Sequence, residues 1–231
     1  MLSLRVSGQR YNVRNQTKVS DIAFNNIWTA IVEQKLTPGQ AITEESLATM
    51  FDISRTPLRE AIQRLISLGL IVRHKNRTLS VALLSLEHVI NLSYTRESLE
   101  GLIVSNVMKR LHNDEISLEQ VEATHQKMKK LLALGEPELQ LDLGRRFHAE
   151  MESLCNNYVA IGVLDQIMLA MEPYRYLILK QEERFESIVE EHDEILAAIK
   201  ANNQMDLINA LNHHFSNARA NYSAQLDEIN K

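Results

Sequence analysis

Apolar residues recur at three- and four-residue intervals along most of this chain, and that period predicts helices. Ile22, Phe24, Ile27, Trp28, Ile31 and Val32 mark a first amphipathic helix, which Thr37-Pro38-Gly39 is expected to end. Thr43 is placed to cap a short second helix that buries Leu47, Ala48 and Phe51. Asp52-Ile53 makes a tight turn, and Ser54 is expected to cap a third helix. Pro57 falls in the first turn of that helix, where a missing N–H costs nothing, and Gly69 is a natural stop. Leu58, Ile62, Leu65 and Ile66 give the third helix one apolar face.

After Gly69 the period changes. Leu70-Ile71-Val72-Arg73 reads as a short strand, His74-Lys75-Asn76-Arg77 as a basic turn, and Thr78 to Leu83 as the returning strand. Three helices followed by a basic hairpin is the layout of a winged helix-turn-helix. From Ser85 onward only helices are predicted, over about 85–111, 117–134, 137–154, 157–172, 174–201 (with a further break near Glu183) and 204–229. Ser117-Leu118-Glu119-Gln120 fits a capping box, and Gly135-Glu136-Pro137, Asn156-Asn157 and Glu172-Pro173 interrupt the pattern. The fold class is therefore mainly α. A polar arm over 1–17 precedes a winged helix-turn-helix over 18–84, and an all-α bundle of about six or seven helices fills 85–231.

Charge sharpens this division. The net charge of −5 is unusual for a protein that meets DNA. Residues 1–85, however, hold 11 Lys and Arg against 6 Asp and Glu, and the remainder holds 14 against 24. A basic piece joined to an acidic one implies two tasks, only the first of which suits phosphate. No apolar run approaches the roughly 18 residues of a membrane span, so no membrane partner is expected. A lone cysteine, Cys155, suits a reducing compartment, and the expected location is the cytoplasm.

The third helix carries the chemistry of DNA reading. At about 100° per residue, Thr56, Arg59 and Gln63 point away from the apolar seam, and Arg55 stands at the helix N-terminus. Arginine can donate two bonds to guanine, and glutamine pairs similarly with adenine. The hydroxyls of Ser54 and Thr56 suit phosphate oxygens, and Lys75 and Arg77 on the hairpin would reach phosphate or the minor groove.

Pro38-Gly39-Gln40, Leu47-Ala48, Ile53-Ser54-Arg55-Thr56-Pro57-Leu58-Arg59-Glu60-Ala61, Leu65 and Gly69-Leu70-Ile71 together resemble the DNA-binding domain of the GntR family of bacterial transcription regulators. The resemblance implies that Arg55 and Arg59 contact operator bases. Two positions depart from the family pattern. Glu45 stands where arginine is common, and the usual wing-tip glycine is replaced around Thr78.

The helical half is similar to the family's ligand-binding domain of the FadR type, through Tyr94-Thr95-Arg96-Glu97-Ser98-Leu99-Glu100, Arg146-Phe147-His148, Asn157, Glu191-His192 and His214. That resemblance implies, as in many members, a divalent metal held by one Asp and three His with an organic acid or related metabolite completing the site, or, as in other members, a larger effector bound without metal. Helical periodicity turns His148, His192 and His214 inward on three separate helices, and neutral imidazoles suit zinc or nickel. The position of the family's Asp, one turn before His148, is Gly144, and Asp142 lies about 120° off that face. Either the three histidines hold a metal with solvent or effector filling the gap, or metal binding is lost and they meet the effector directly. Arg96 lies on an apolar stripe, where a buried arginine needs an anion: an effector carboxylate, or Glu100 one turn on. Asn157 can add a hydrogen bond to the effector or cap the next helix.

An operator reader of this kind works as a symmetric pair, so a homodimer on a palindromic operator is expected, acting as a repressor relieved by its effector. The alternatives are a regulator that senses the metal ion itself and a metal-dependent enzyme.

Overall fold

The structure is a computed structural model that describes residues 18–134, 137–178 and 184–229, without the side chains of 137–142, 177–178, 184 and 228–229. The arm expected over 1–17 lies outside the described residues, as does the side chain of Asp142. The described chain forms two compact units. One comprises residues through Ser85 together with Asp165–Tyr176, and the other comprises Leu86–Leu164 and the residues from Leu177 onward.

The first unit runs α1 (Val19–Val32), β1 (Ala41–Ile42), α2 (Glu44–Phe51), α3 (Arg55–Ser67), β2 (Ile71–Arg73) and β3 (Leu79–Val81). The strands pair antiparallel in the order β1-β3-β2, with Ile71 opposite Val81 and Ala41 opposite Ser80. β1 was not expected, because two residues are too short to show a period. The backbone bonds Gly39 N–H to Val81 O and Val81 N–H to Gln40 O lock it to the hairpin. Ala23, Ile27, Leu58, Ala61, Ile62 and Leu65 are buried, which makes the helix-turn-helix one apolar core.

Two local expectations in this unit need correction. Helix α1 ends at Val32 rather than at Thr37-Pro38-Gly39, because Gln34 turns left-handed at φ 58° and Leu36 N–H returns to Ala30 O. Ser54 occupies the N-cap of α3, but its side chain makes no capping bond. A cap oxygen accepts from the second or third helical N–H, and the third residue here is Pro57, which has none. Thr43, by contrast, caps α2 in full, exchanging bonds with Ser46.

Six helices follow among the described residues: α4 (Leu86–His112), α5 (Glu119–Leu134), α6 (Pro137–Cys155), α7 (Tyr158–Ile178), α8 (Arg184–Lys200) and α9 (Gln204–Ile229). The break expected at Glu172-Pro173 is absent, and α7 runs through Pro173. A proline removes the N–H that would bond the carbonyl four residues back, here that of Leu169. The Trp28 indole N–H donates to that carbonyl at 3.1 Å, so the orphaned acceptor is satisfied from α1. Sequence periodicity cannot report such a rescue. No helix among the described residues is long and apolar enough to cross a membrane.

Candidate functional sites: a cationic recognition helix and a buried histidine cluster

The first site is built on α3. Leu58, Ala61, Ile62 and Leu65 anchor one face completely, so the opposite face must be presented outward. Arg55, Thr56, Arg59 and Gln63 all lie exposed there, with Ser54 exposed just ahead of the helix. Arg64 is excluded from the reading face. Its guanidinium pairs with Asp21 at 2.7 Å and lies over the Phe24 ring. Arg59 is aimed by Glu44 at the start of α2, which accepts from its Nε at 2.7 Å. An exposed pair of this kind adds little stability. It engages only Nε and leaves both terminal amino groups of Arg59 outside the pair.

Lys75 and Arg77 are exposed on the β2–β3 turn. The wing turn places its left-handed residue at Arg77, with φ 65°, where glycine would carry no steric cost. Asn76 supports the turn by accepting from Thr78 N–H and from its hydroxyl. Arg77→Gly should therefore stabilise the first unit by about 1 kcal/mol, the lower part of the left-handed penalty. Operator affinity should fall at the same time, and denaturant melts and operator titrations on one preparation would show both changes.

The second site lies within the second unit. His148 on α6, His192 on α8 and His214 on α9 present ring nitrogens that all lie within 4.8 Å of one another. His192 and His214 are buried, and His148 is half-buried. The Phe147 ring stacks on His192 at 4.1 Å and 7°, which fixes the plane of the central imidazole. Two carboxylates orient the outer rings. Glu100 accepts from His148 Nδ1 at 2.7 Å, and Glu191 accepts from His214 Nδ1 at 2.8 Å. Nε2 is then the nitrogen of each of these rings that its carboxylate does not engage. His192 is different: among the described residues neither of its ring nitrogens has a partner, although the residue is 1% exposed.

Burial sets the protonation of this cluster. It pushes His148 down to about 4, against the pull of Glu100. Burial and the neighbouring rings push His192 well below its ordinary value. These two rings are thus neutral near pH 7 and offer lone pairs. Glu100 is raised by burial, but the Arg96 guanidinium and the His148 ring outweigh that effect and hold it below the usual carboxylate range.

Arg96 is buried and donates Nε–H to Glu100 at 2.6 Å, so the partner one turn on is the one the structure places beside it. Asn157 caps α7 by accepting from Ala160 N–H at 3.1 Å. Sequence reasoning missed the roles of Glu100 and Glu191 toward the histidines. Glu100 was visible only as a partner for Arg96. Glu191 adjoins His192 in the chain yet serves His214, and no helical spacing reveals a bond across two helices. His125 is buried and bonded to Asp193 at 2.8 Å, in keeping with a structural role.

A winged helix-turn-helix with an exposed cationic recognition helix, combined with a helical unit holding a polar cluster, defines a DNA-binding regulator class. The chain belongs to the gntR family of bacterial regulatory proteins: that family's model matches residues 21–81, and the FCD domain model matches residues 91–217. It is 25% identical over 182 residues to the Bacillus subtilis protein described as "Uncharacterized HTH-type transcriptional regulator YdhC", covering 78% of this chain and 80% of that one. It is 23% identical over 187 residues to the Escherichia coli "HTH-type transcriptional repressor RspR", covering 80% of each. The solved structure of E. coli McbR/YncC shares the fold, with a TM-score of 0.71 at 19% identity over 91% of this chain and all of that one. The family regulates transcription, and the enzyme alternative is set aside.

Proposed function

We propose that this regulator is a homodimeric repressor whose operator binding is relieved by a small carboxylate effector at a metal held by His148, His192 and His214. Residues 18–84 read the operator, and residues 85–231 sense the effector and dimerise. The observation that carries the sensor reading is His192. A buried imidazole with both nitrogens unpartnered is costly unless something fills the space before it, and two flanking histidines offer lone pairs to the same point. Metal-bound histidines characteristically donate their second N–H to a carboxylate, as His148 and His214 do here. Three imidazole ligands suit zinc or nickel with a position left open, and the bound ion would act there as a Lewis acid that attracts the effector's anionic oxygen.

Arg96 is the proposed anchor for the effector carboxylate. A guanidinium has five donor hydrogens, and Glu100 takes only the Nε–H. The carboxamide oxygen of Asn157 is committed to its cap, which leaves the amino group for the ligand. In the reading head, Ser54, Arg55, Thr56, Arg59, Gln63, Lys75 and Arg77 are the proposed contacts to a palindromic operator. The exposure of their common face supports this assignment.

The test is a thermal-shift screen of small carboxylates on metal-free protein, with and without zinc or nickel, followed by operator titration. A ligand that binds the folded state raises the midpoint. A carboxylate that acts only with metal and weakens operator binding is the expected result, and no metal binding at all would remove the sensor reading. If metal alone weakens operator binding fully, the protein is a metal sensor. The reading head is tested separately. Arg59→Ala should cost about 1–3 kcal/mol of specific operator affinity at fixed salt while leaving the melting behaviour unchanged.

A further inference from the structure

We propose that Arg96 is a positioning residue for the histidine cluster, acting through Glu100 on His148. The inference rests on the reading that the three histidines hold a metal. It adds a role for Arg96 separate from holding an effector. The chain of contacts is continuous and buried. Arg96 Nε–H donates to one oxygen of Glu100 at 2.6 Å, and the other oxygen accepts from His148 Nδ1 at 2.7 Å. Arg96 and Glu100 lie one turn apart on α4, and His148 comes from α6. Both oxygens of the carboxylate are thereby used, so its plane is determined by two partners on different helices.

The role of Arg96 in this chain is orientation. A carboxylate alone can rotate about its last bond and carry the imidazole with it. The planar guanidinium offers hydrogens only along fixed directions, and so holds the carboxylate in one plane. Arg96 is itself held, because its guanidinium lies over the ring of Phe215, 5.1 Å from the centroid. Phe215 is buried and follows His214 directly in α9. The guanidinium is thus gripped from α9, where one histidine sits, and sets the ring plane of another on α6. His214 has an independent support of the same kind. Glu191 accepts from its Nδ1 and, through the second oxygen, from Asn217 Nδ2 at 2.7 Å. Each outer histidine therefore has a carboxylate, and each carboxylate has its own anchor: Arg96 for Glu100, Asn217 for Glu191.

Removing one member of the buried pair would strand the other's charge and risk unfolding. The test therefore uses a charge-neutral double variant, Arg96→Met with Glu100→Gln, alongside the conservative variant Arg96→Lys, in the full-length protein prepared free of metal. Cobalt(II) is the probe, because its visible absorption reports the geometry of its ligands. Affinity is read by titration, and folding is read by circular dichroism and thermal melts. The double variant should melt as the parent does, bind cobalt about 10- to 100-fold more weakly, and show an altered visible spectrum, as expected for loss of an outer-shell partner. Arg96→Lys should fold as the parent does and retain affinity only in part, because an ammonium lacks the planar fork. A folded double variant with the parent's cobalt affinity and spectrum would overturn the proposal and leave Arg96 as an effector anchor alone. Absence of cobalt binding by the parent, with His192→Ala indistinguishable from it, would instead overturn the metal reading on which the proposal rests.

Discussion

Replacing His192 by leucine should stabilise the metal-free protein while abolishing its response to zinc or nickel. His192 is 1% exposed, and both of its ring nitrogens lack a partner among the described residues. A buried polar atom without a hydrogen bond costs about 1–3 kcal/mol, and leucine removes both such atoms at comparable volume. Leucine also keeps an apolar surface against the Phe147 ring, which stacks on the imidazole. Denaturant unfolding of metal-free protein should therefore show a gain of about 1–3 kcal/mol. With metal present the order should reverse. A ligand at 1,000 times its dissociation constant stabilises the folded parent by about 4.1 kcal/mol, which exceeds that gain, and the variant would lack this contribution because one of three ligands is gone. A variant less stable than the metal-free parent, or one still stabilised by zinc, would show that His192 has another partner. The reversal matters because a purely structural histidine could not produce it.

Gly144→Asp should raise metal affinity by roughly 10- to 100-fold, at least the effect seen for outer-shell partners, and should make it independent of added carboxylate. Gly144 and His148 are one turn apart on the same face of α6, so a side chain at 144 projects toward the cluster. There is room for it: a Cβ built at Gly144 would meet Met128 Cε at 3.8 Å, an ordinary contact. The existing carboxylates cannot take the role without loss, because Glu100 and Glu191 each already hold a histidine and a second partner. Three imidazoles supply the ion no anionic ligand, so the parent is expected to draw on an external anion where the variant carries its own. Titrating zinc into both proteins, with and without a monocarboxylate such as acetate, separates them. The parent should bind more tightly with the anion present, and the variant should show no difference. Equal anion dependence in both would place the open position away from residue 144.

The two halves of the molecule were unequally legible. In the head, nearly everything needed was local. The outward face of Arg55, Thr56, Arg59 and Gln63 follows from the burial of Leu58, Ile62 and Leu65 at helical spacing. Errors there came from single backbone facts, such as the left-handed Gln34 that ends α1 early and the missing N–H of Pro57 that removes one of the two N–H groups a Ser54 cap could use. In the helical unit, periodicity turned His148, His192 and His214 inward, and the structure brings them within 4.8 Å of one another. It could not supply their partners. Nothing in the spacing of Glu100 or Glu191 ties either to a histidine on a different helix, and the sequence offered Arg96 either an effector carboxylate or Glu100 without showing that Glu100 also holds His148.

Pro173 shows the same limit within the first unit. By itself a proline in mid-pattern predicts a break, yet the helix persists, and the Trp28 indole, far away in the chain, satisfies Leu169 O. The Ser54-to-Glu60 run, the basic head and the three inward histidines were thus determined by the sequence alone, since periodicity and capping act within a few residues. Which carboxylate holds which imidazole, why His192 stands unpartnered and how α7 survives its proline were decided only by tertiary structure, because buried polar groups find their partners across helices.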